Sequence, residues 1–359
     1  MTSVNNDISV LNTTTDRGDI INTAASGDGG SVLLNAGDDV VVDGVINNSS
    51  TATGGTVSLV STDGTVDVQN DGNNASFAIN NSTSGGNGGA VTLTSAGAGE
   101  DTLVDGNILN NSTGSGGSVT LTASGDDLTV NGLINNSTTG GNGGSITTSS
   151  LDVSIFRGDL INTSTGNAGS INLVSTAGRI DILDNTAGIA DVLNSTTGGA
   201  GGTVNISTTG PNSGSGGVNG RLYIEGSVQN TSTAGGGSTS LVSENSTVTV
   251  DNNGSVANAI AASASNGNAG SITARAGTNL FIDGSVTANS TGAGAGNGGD
   301  ILLQYANAGG ASFIVGGTGA RGINGSVNAN AFGTGQGGSI EIRNGTGAAG
   351  IPIGNLNID

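Results

Sequence analysis

Short runs in which Val, Ile or Leu alternates with Thr, Ser or Asn recur along the whole chain, and Gly-rich segments separate them. Such period-two alternation predicts half-buried strands, with the apolar residues inward and the polar ones outward. Three kinds of strand follow one another. The first reads Val119-Thr120-Leu121-Thr122. The second ends on a polar residue before a corner glycine, as in Leu128-Thr129-Val130-Asn131-Gly132, Leu222-Tyr223-Ile224-Glu225-Gly226 and Leu280-Phe281-Ile282-Asp283-Gly284. In the third, Asn stands two positions after an apolar residue: Ile46/Asn48, Ile79/Asn81, Leu109/Asn111, Ile134/Asn136, Leu160/Asn162, Val192/Asn194 and Val228/Asn230, with Asn22 in the same slot.

The three strands form a repeating unit. A Gly-rich corner leading into a small and then a β-branched residue marks each unit, from Gly29-Gly30-Ser31-Val32 through Gly116-Gly117-Ser118-Val119 to Gly337-Gly338-Ser339-Ile340. The corner Gly236-Gly237-Ser238-Thr239 follows the same pattern. Spacings of about 25 to about 39 residues are those of solenoid coils. The prediction is an all-β chain, a single-stranded parallel β-helix (β-solenoid) of about eleven to twelve coils with three short strands each. No compositional break divides it, so residues 1–359 form one domain, roughly 50–60 Å long at one strand spacing per coil.

The Asn column is the most informative feature. Alternation puts these amides on the inward face, where a lone buried amide costs about 1–3 kcal/mol. Stacked at ~4.8 Å per coil, each Asn can donate to one neighbour and accept from the other. A ladder of Asn22, Asn48, Asn81, Asn111, Asn136, Asn162, Asn194 and Asn230 requires parallel, in-register coils and argues against a sandwich.

Composition sharpens the picture. Glycine supplies 69 of 359 residues, nearly three times its usual share of about 7%. Cys, His, Trp and Lys are all missing, and the seven basic residues are Arg. No disulfide framework or thiolate metal site can form. A net charge of −20 disfavours nucleic acid and anionic membrane surfaces as partners. No apolar run approaches the roughly 20 residues of a membrane span. Met1–Asn6 does not read as a signal peptide, having neither a basic start nor an apolar stretch.

The phrases Gly267-Asn268-Ala269-Gly270-Ser271-Ile272-Thr273 and Gly335-Gln336-Gly337-Gly338-Ser339-Ile340-Glu341-Ile342 resemble the repeats of filamentous-haemagglutinin-like exoproteins, the passengers of two-partner secretion, and of their cyanobacterial variants in particular. The resemblance spans nearly the whole chain. It implies a right-handed β-helix, export, and service as an adhesin or extracellular fibre. No secretion domain is recognised ahead of the repeats.

Several candidate chemistries stand against plainer readings. Arg17-Gly18-Asp19 and Arg157-Gly158-Asp159 are Arg-Gly-Asp tripeptides in the same coil slot. Integrin adhesion is the functional reading. The favoured one is an Arg placed in an otherwise acidic column that includes Asp43, Asp105, Asn131, Asp184, Glu225, Asp251 and Asp283, where it relieves like-charge repulsion. Calcium is the one cofactor candidate, with Asp283 and Asp300 as its ligands, Asp300 because residues 295–302 approach a Gly-rich calcium nonapeptide. Solvated corner carboxylates are the favoured alternative. No enzyme is expected: the acids read as spread singly along corners, whereas acid–base work needs them to converge. Thr92/Thr94 and Thr120/Thr122 suggest an ice-binding array, but equivalent positions become Asn172/Val174 and Thr273/Arg275. Asn-x-Ser/Thr triplets such as Asn47-Asn48-Ser49 follow from the ladder itself.

The expected function is that of a secreted or cell-surface structural protein, a rigid stalk or self-assembling filament with an adhesive role. The alternative is a glycan- or receptor-binding module that uses corner loops at 184–191, 208–220 and 306–325. Thr2-Ser3-Val4-Asn5 reads as the start of a third strand, and Asn355–Asp359 as the end of a second, which suggests either head-to-tail association of copies or a piece cut at one seam of a longer repeat array.

Overall fold

The computed structural model describes residues 1–359 except 12–17, 71–76, 184–190, 212–219, 253–257, 293, 295, 307–312, 318–320, 346–355 and 359. The described residues form strands, turns and bends, with no helix among them. The strands collect into three sheets of eleven, thirteen and eleven members. Every pairing is parallel. First strands pair only with first strands, second with second and third with third, so the chain is a three-sided parallel β-solenoid.

Register explains why these residues form these strands. In the first sheet Val57, Val91, Val119 and Ile146 lie directly above one another, as do Leu59, Leu93 and Leu121 two residues on. All are fully buried. A one-residue slip would turn every one of them to solvent, so the alternation itself fixes the register. The second sheet contributes Val66, Thr102, Leu128 and Ser154 to the interior, and the third Ile46, Ile79, Ile108 and Ile134. Each coil thus buries few apolar side chains, but each is sandwiched between its counterparts above and below.

Corner glycines follow from close approach. A Cβ on Gly89 would lie 2.0 Å from the Gly55 carbonyl oxygen and 2.7 Å from Nδ2 of Asn81. Gly284, after the second strand, has φ +119°, a region L side chains rarely adopt.

Two expectations change. The chain makes about nine regular turns, counted from the strand Ile8–Val10 to Leu280–Asp283, rather than eleven to twelve. Beyond Asp283 the second sheet gains Phe313–Val315 and Gly322–Ile323, which pair with each other within one stretch of chain and so add strands without adding turns. Thr2 also lies elsewhere than expected: it bridges Asn35, and the Met1 ammonium donates to the Leu33 carbonyl, which places this segment with the first strands instead of the third. The seam inferred from sequence therefore does not match. Most of the expected corner loops fall outside the described residues.

Candidate functional site

The candidate site is a set of side-chain columns running along the axis. The inner column is the Asn ladder. Nδ2 of Asn22 donates to Oδ1 of Asn48 (2.7 Å), Asn48 to Asn81 (2.8 Å), Asn81 to Asn110 (3.0 Å) and Asn110 to Asn136 (2.8 Å). The chain continues from Asn136 to Asn162 (3.3 Å), Asn162 to Asn194 (3.0 Å) and Asn194 to Asn230 (3.3 Å). From Asn48 onward each of these residues is 0% exposed. From Asn48 to Asn230 each Nδ2 also faces two carbonyls at the glycine corner; for Asn136 these are Gly117 and Ser145, both at 3.1 Å. The amide therefore fastens the third strand to the first within a coil while it bonds to the next coil.

One member was misassigned. Asn110, not Asn111, belongs to the ladder. The apolar residue that precedes it by two is Ile108, which pairs with Ile79 and Ile134. In the doublet Asn110-Asn111 a one-residue shift moves the amide to the other face, and Asn111 uses its Oδ1 to accept the Ser137 N–H at 3.2 Å instead.

The ladder ends for a visible reason. After Asn230 the same station holds Ala262, Ala288 and Ala329, and there the alanine carbonyl accepts a corner glycine N–H directly, from Gly270, Gly299 and Gly338. Asn230 turns its amide to Oγ1 of Thr239 (3.3 Å). Thr239, which interrupts the Val/Ile column, thus closes the ladder, a role the sequence reading did not assign.

Three further columns line the corners. At the first corner Oδ1 of Asp39, Asp101 and Asp127 accepts the N–H of Thr65, Asp127 and Val153 in the following coil. At the second, Asp19, Asn107, Asp159 and Asp191 accept from Val45, Leu133, Asp191 and Ser227. At the third, Asp28, Asn87, Asn142 and Asn167 accept from Thr53, Ser115, Asn167 and Ala200. Where the chain turns out of the sheet its amide loses a backbone partner, and an Asx side chain supplies one.

These columns bear on every other candidate. Arg17 lies outside the described residues. Asp19 and Asp159 are corner acceptors, and Nη1 of Arg157 donates to Oδ1 of Asn131 at 2.7 Å. The groups of Arg157-Gly158-Asp159 that an adhesion receptor would read are thus bonded within the fold. Asp283 accepts from Nδ2 of Asn324 (2.6 Å) and Asp300 from Oγ of Ser339 (2.7 Å). Asp283 ends a second strand whereas Asp300 lies in the corner before a first strand, and among the described residues neither belongs to a group of three carboxylates close enough to share a cation.

Carboxylates do gather elsewhere, contrary to the reading that they stand singly. Asp7, Asp38 and Asp39 bring oxygens within 4.8 Å of one another, as do Asp101, Asp126 and Asp127. Both groups lie on the first corner, and neither lines the open groove of about 720 Å³ between Gly54 and Ser170 on the third corner. Desolvation first, then repulsion by neighbouring carboxylates, raises the pKa of Asp38 and of Asp126. Asp67 and Asp101 are also raised, mainly by desolvation.

A cluster on the second sheet was not anticipated. Asp181 is only 2% exposed although it points outward, because Arg221 grips it with Nε (2.7 Å) and Nη2 (2.8 Å) and Arg179 adds Nε (2.7 Å). The Arg221 guanidinium carbon lies 5.3 Å from the Tyr223 ring centre. Burial, with Asp251 and Glu225 nearby, pushes the Tyr223 hydroxyl up to about 12. No motif in the sequence announces this cluster, since its members come from strands 40 residues apart.

No family model matches the chain, and no curated protein or solved structure shows significant similarity to it.

Proposed function

We propose that the chain is a non-enzymatic structural element, a rigid rod that forms part of a secreted or cell-surface fibre, in keeping with the haemagglutinin-like character of its repeats. The observation that carries this reading is the direction of the bonding. Sheet hydrogen bonds, the Asn ladder and the three corner columns all run coil to coil along the axis. Four carboxylates that could serve catalysis are consumed in that role: Asp101, Asp127, Asp159 and Asp191 each accept a backbone N–H of the next coil. Eleven strands at ~4.8 Å give a rod of ~50 Å.

Two measurements on the purified chain test this. Small-angle scattering should give a rod of about that length with a constant cross-section. Incubation with a panel of neutral and acidic polysaccharides should release no oligosaccharide. Turnover of any of them, lost in Asp101→Asn or Asp126→Asn, would overturn the structural reading in favour of a carboxylate-based hydrolase.

A further inference from the structure

Charge is distributed unevenly over the three sides of the solenoid. Eight consecutive first strands, from Thr56–Ser61 to Ser271–Ala276, alternate inward and outward and so present three outward residues each. These are Ser, Thr, Asn, Val and Ala, with one charged exception, Arg275, which is paired with Glu244 at 2.9 Å. The second sheet over the same coils turns out Asp67, Asp105, Arg157, Asp181, Asp251 and Asp283. In a chain of net charge −20 the acidic groups thus leave the broad face of the first sheet, with its six-residue strands, almost uncharged.

We propose that this face of the first sheet is where a second copy of the chain packs, sheet against sheet. The third sheet is uncharged on its outer side as well, but its strands are only two to four residues long. The first sheet is therefore the widest side on which two such acidic rods approach with little repulsion between fixed charges. Its side chains are short, so little rotamer freedom is lost when they are covered. Part of its polarity is already satisfied along the columns, as where Nδ2 of Asn205 donates to Oδ1 of Asn172 at 2.7 Å. Eight strands at ~4.8 Å by six residues at ~3.3 Å cover ~760 Å², close to the ~800 Å² that each partner contributes to a stable interface.

The rims agree with a two-fold arrangement. The corner after the first strands is acidic over its early coils, with Asp38, Asp63, Glu100, Asp126 and Asp152, while later coils place Ala177, Thr209 and Glu244 there, the last paired with Arg275. Along these coils the opposite rim carries Asn87, Asn142 and Asn167, with Asp28 and Asp300 just beyond its two ends. A two-fold axis in the plane of the face, along either the solenoid or the strands, sets the acidic rim of one copy against a rim of the other that carries few unpaired acids. The inference does not depend on where the rod is deployed.

Sedimentation of the full chain between about 1 and about 100 μM tests it, at low salt and at ~0.5 M salt, where the Debye length falls below ~5 Å. The expected result is a dimer whose dissociation constant falls several-fold as salt is raised, because screening weakens the residual repulsion. Thr147→Glu, near the centre of the face, should raise that constant at least ten-fold by bringing two like charges together. Thr129→Glu on the second sheet should leave it unchanged. Mixing T147E with T147R should restore dimers that neither variant forms alone, which separates a lost contact from a lost fold. A chain that stays monomeric throughout would overturn the proposal. So would equal loss in T129E, or retention of a monomeric chain on an insoluble neutral glucan that T147E abolishes.

Discussion

Replacing Asn136 with Ala probes the ladder where it is deepest. Asn136 is fully buried, accepts from Asn110 at 2.8 Å and donates towards Asn162, Gly117 and Ser145. Truncation removes the donor to Oδ1 of Asn162, and an orphaned buried acceptor costs about 1–3 kcal/mol. The tie between third and first strands is lost as well, at about 1 kcal/mol net for each good hydrogen bond. The sum is about 3–5 kcal/mol. The outward neighbour Asn135, whose Oδ1 accepts the Ser137 N–H, should cost under about 1 kcal/mol when changed to Ala. Urea unfolding followed by far-UV circular dichroism reads both. The double variant Asn136→Ala/Asn162→Ala is the sharper test, because it removes the orphaned acceptor together with its donor. It should cost less than the sum of the single variants by about 1–3 kcal/mol. Strict additivity, or equal effects at Asn135 and Asn136, would refute the reasoning.

Three other outcomes are expected. Thr148 is 1% exposed, stands in a column with Leu121 and Leu173, and its Oγ1 has no hydrogen-bond partner. Thr148→Val keeps the shape and should therefore stabilise by about 1–2 kcal/mol, seen as a higher melting temperature. Gly89→Ala drives a Cβ against the Gly55 carbonyl and the Asn81 amide, and should cost at least about 2 kcal/mol in the same unfolding assay. Asp38 and Asp126 have raised pKa values in the fold. Their protonated forms favour the native state, so their contribution is fully present below the ordinary aspartate value of about 3.9 and is lost as pH rises through the raised values. Glu341, held down by Arg343, works in the opposite sense at one exposed pair. Melting temperature should thus be higher near pH 4 than near pH 7, and Asp126→Asn should narrow that difference; a steady fall on acidification would contradict this.

Much of the architecture is legible from residue pattern alone. Period-two runs define the strands, and the glycine corners separate them. An inward amide repeated in every coil is tolerable only when the coils stack in register, which selects a parallel solenoid before any coordinate is known. Legibility fails where the local signal is degenerate. Asn110 and Asn111 are chemically identical neighbours, and only the pairing of Ile108 with Ile79 and Ile134 decides which one turns inward. The corner Asx columns were visible as residues but not as a function, because their acceptors act on amides one coil away. The same distance hid the clustering of Asp101, Asp126 and Asp127. The Arg179–Asp181–Arg221 grip depends on two coils of unequal length coming into register, which spacing alone does not give. Candidate chemistry was less legible than fold for one reason. In a stacked chain, most polar side chains that could act on a ligand act first on the neighbouring coil.

Side-chain amide hydrogen exchange, measured by NMR on the folded protein, probes the stacked amides most directly. The carboxamide protons of Asn81, Asn110, Asn136 and Asn162 should exchange only through opening of the solenoid, orders of magnitude more slowly than those of Asn111 and Asn135. Rapid exchange at all six positions would mean that the amides face water, and that these coils are not held together as described.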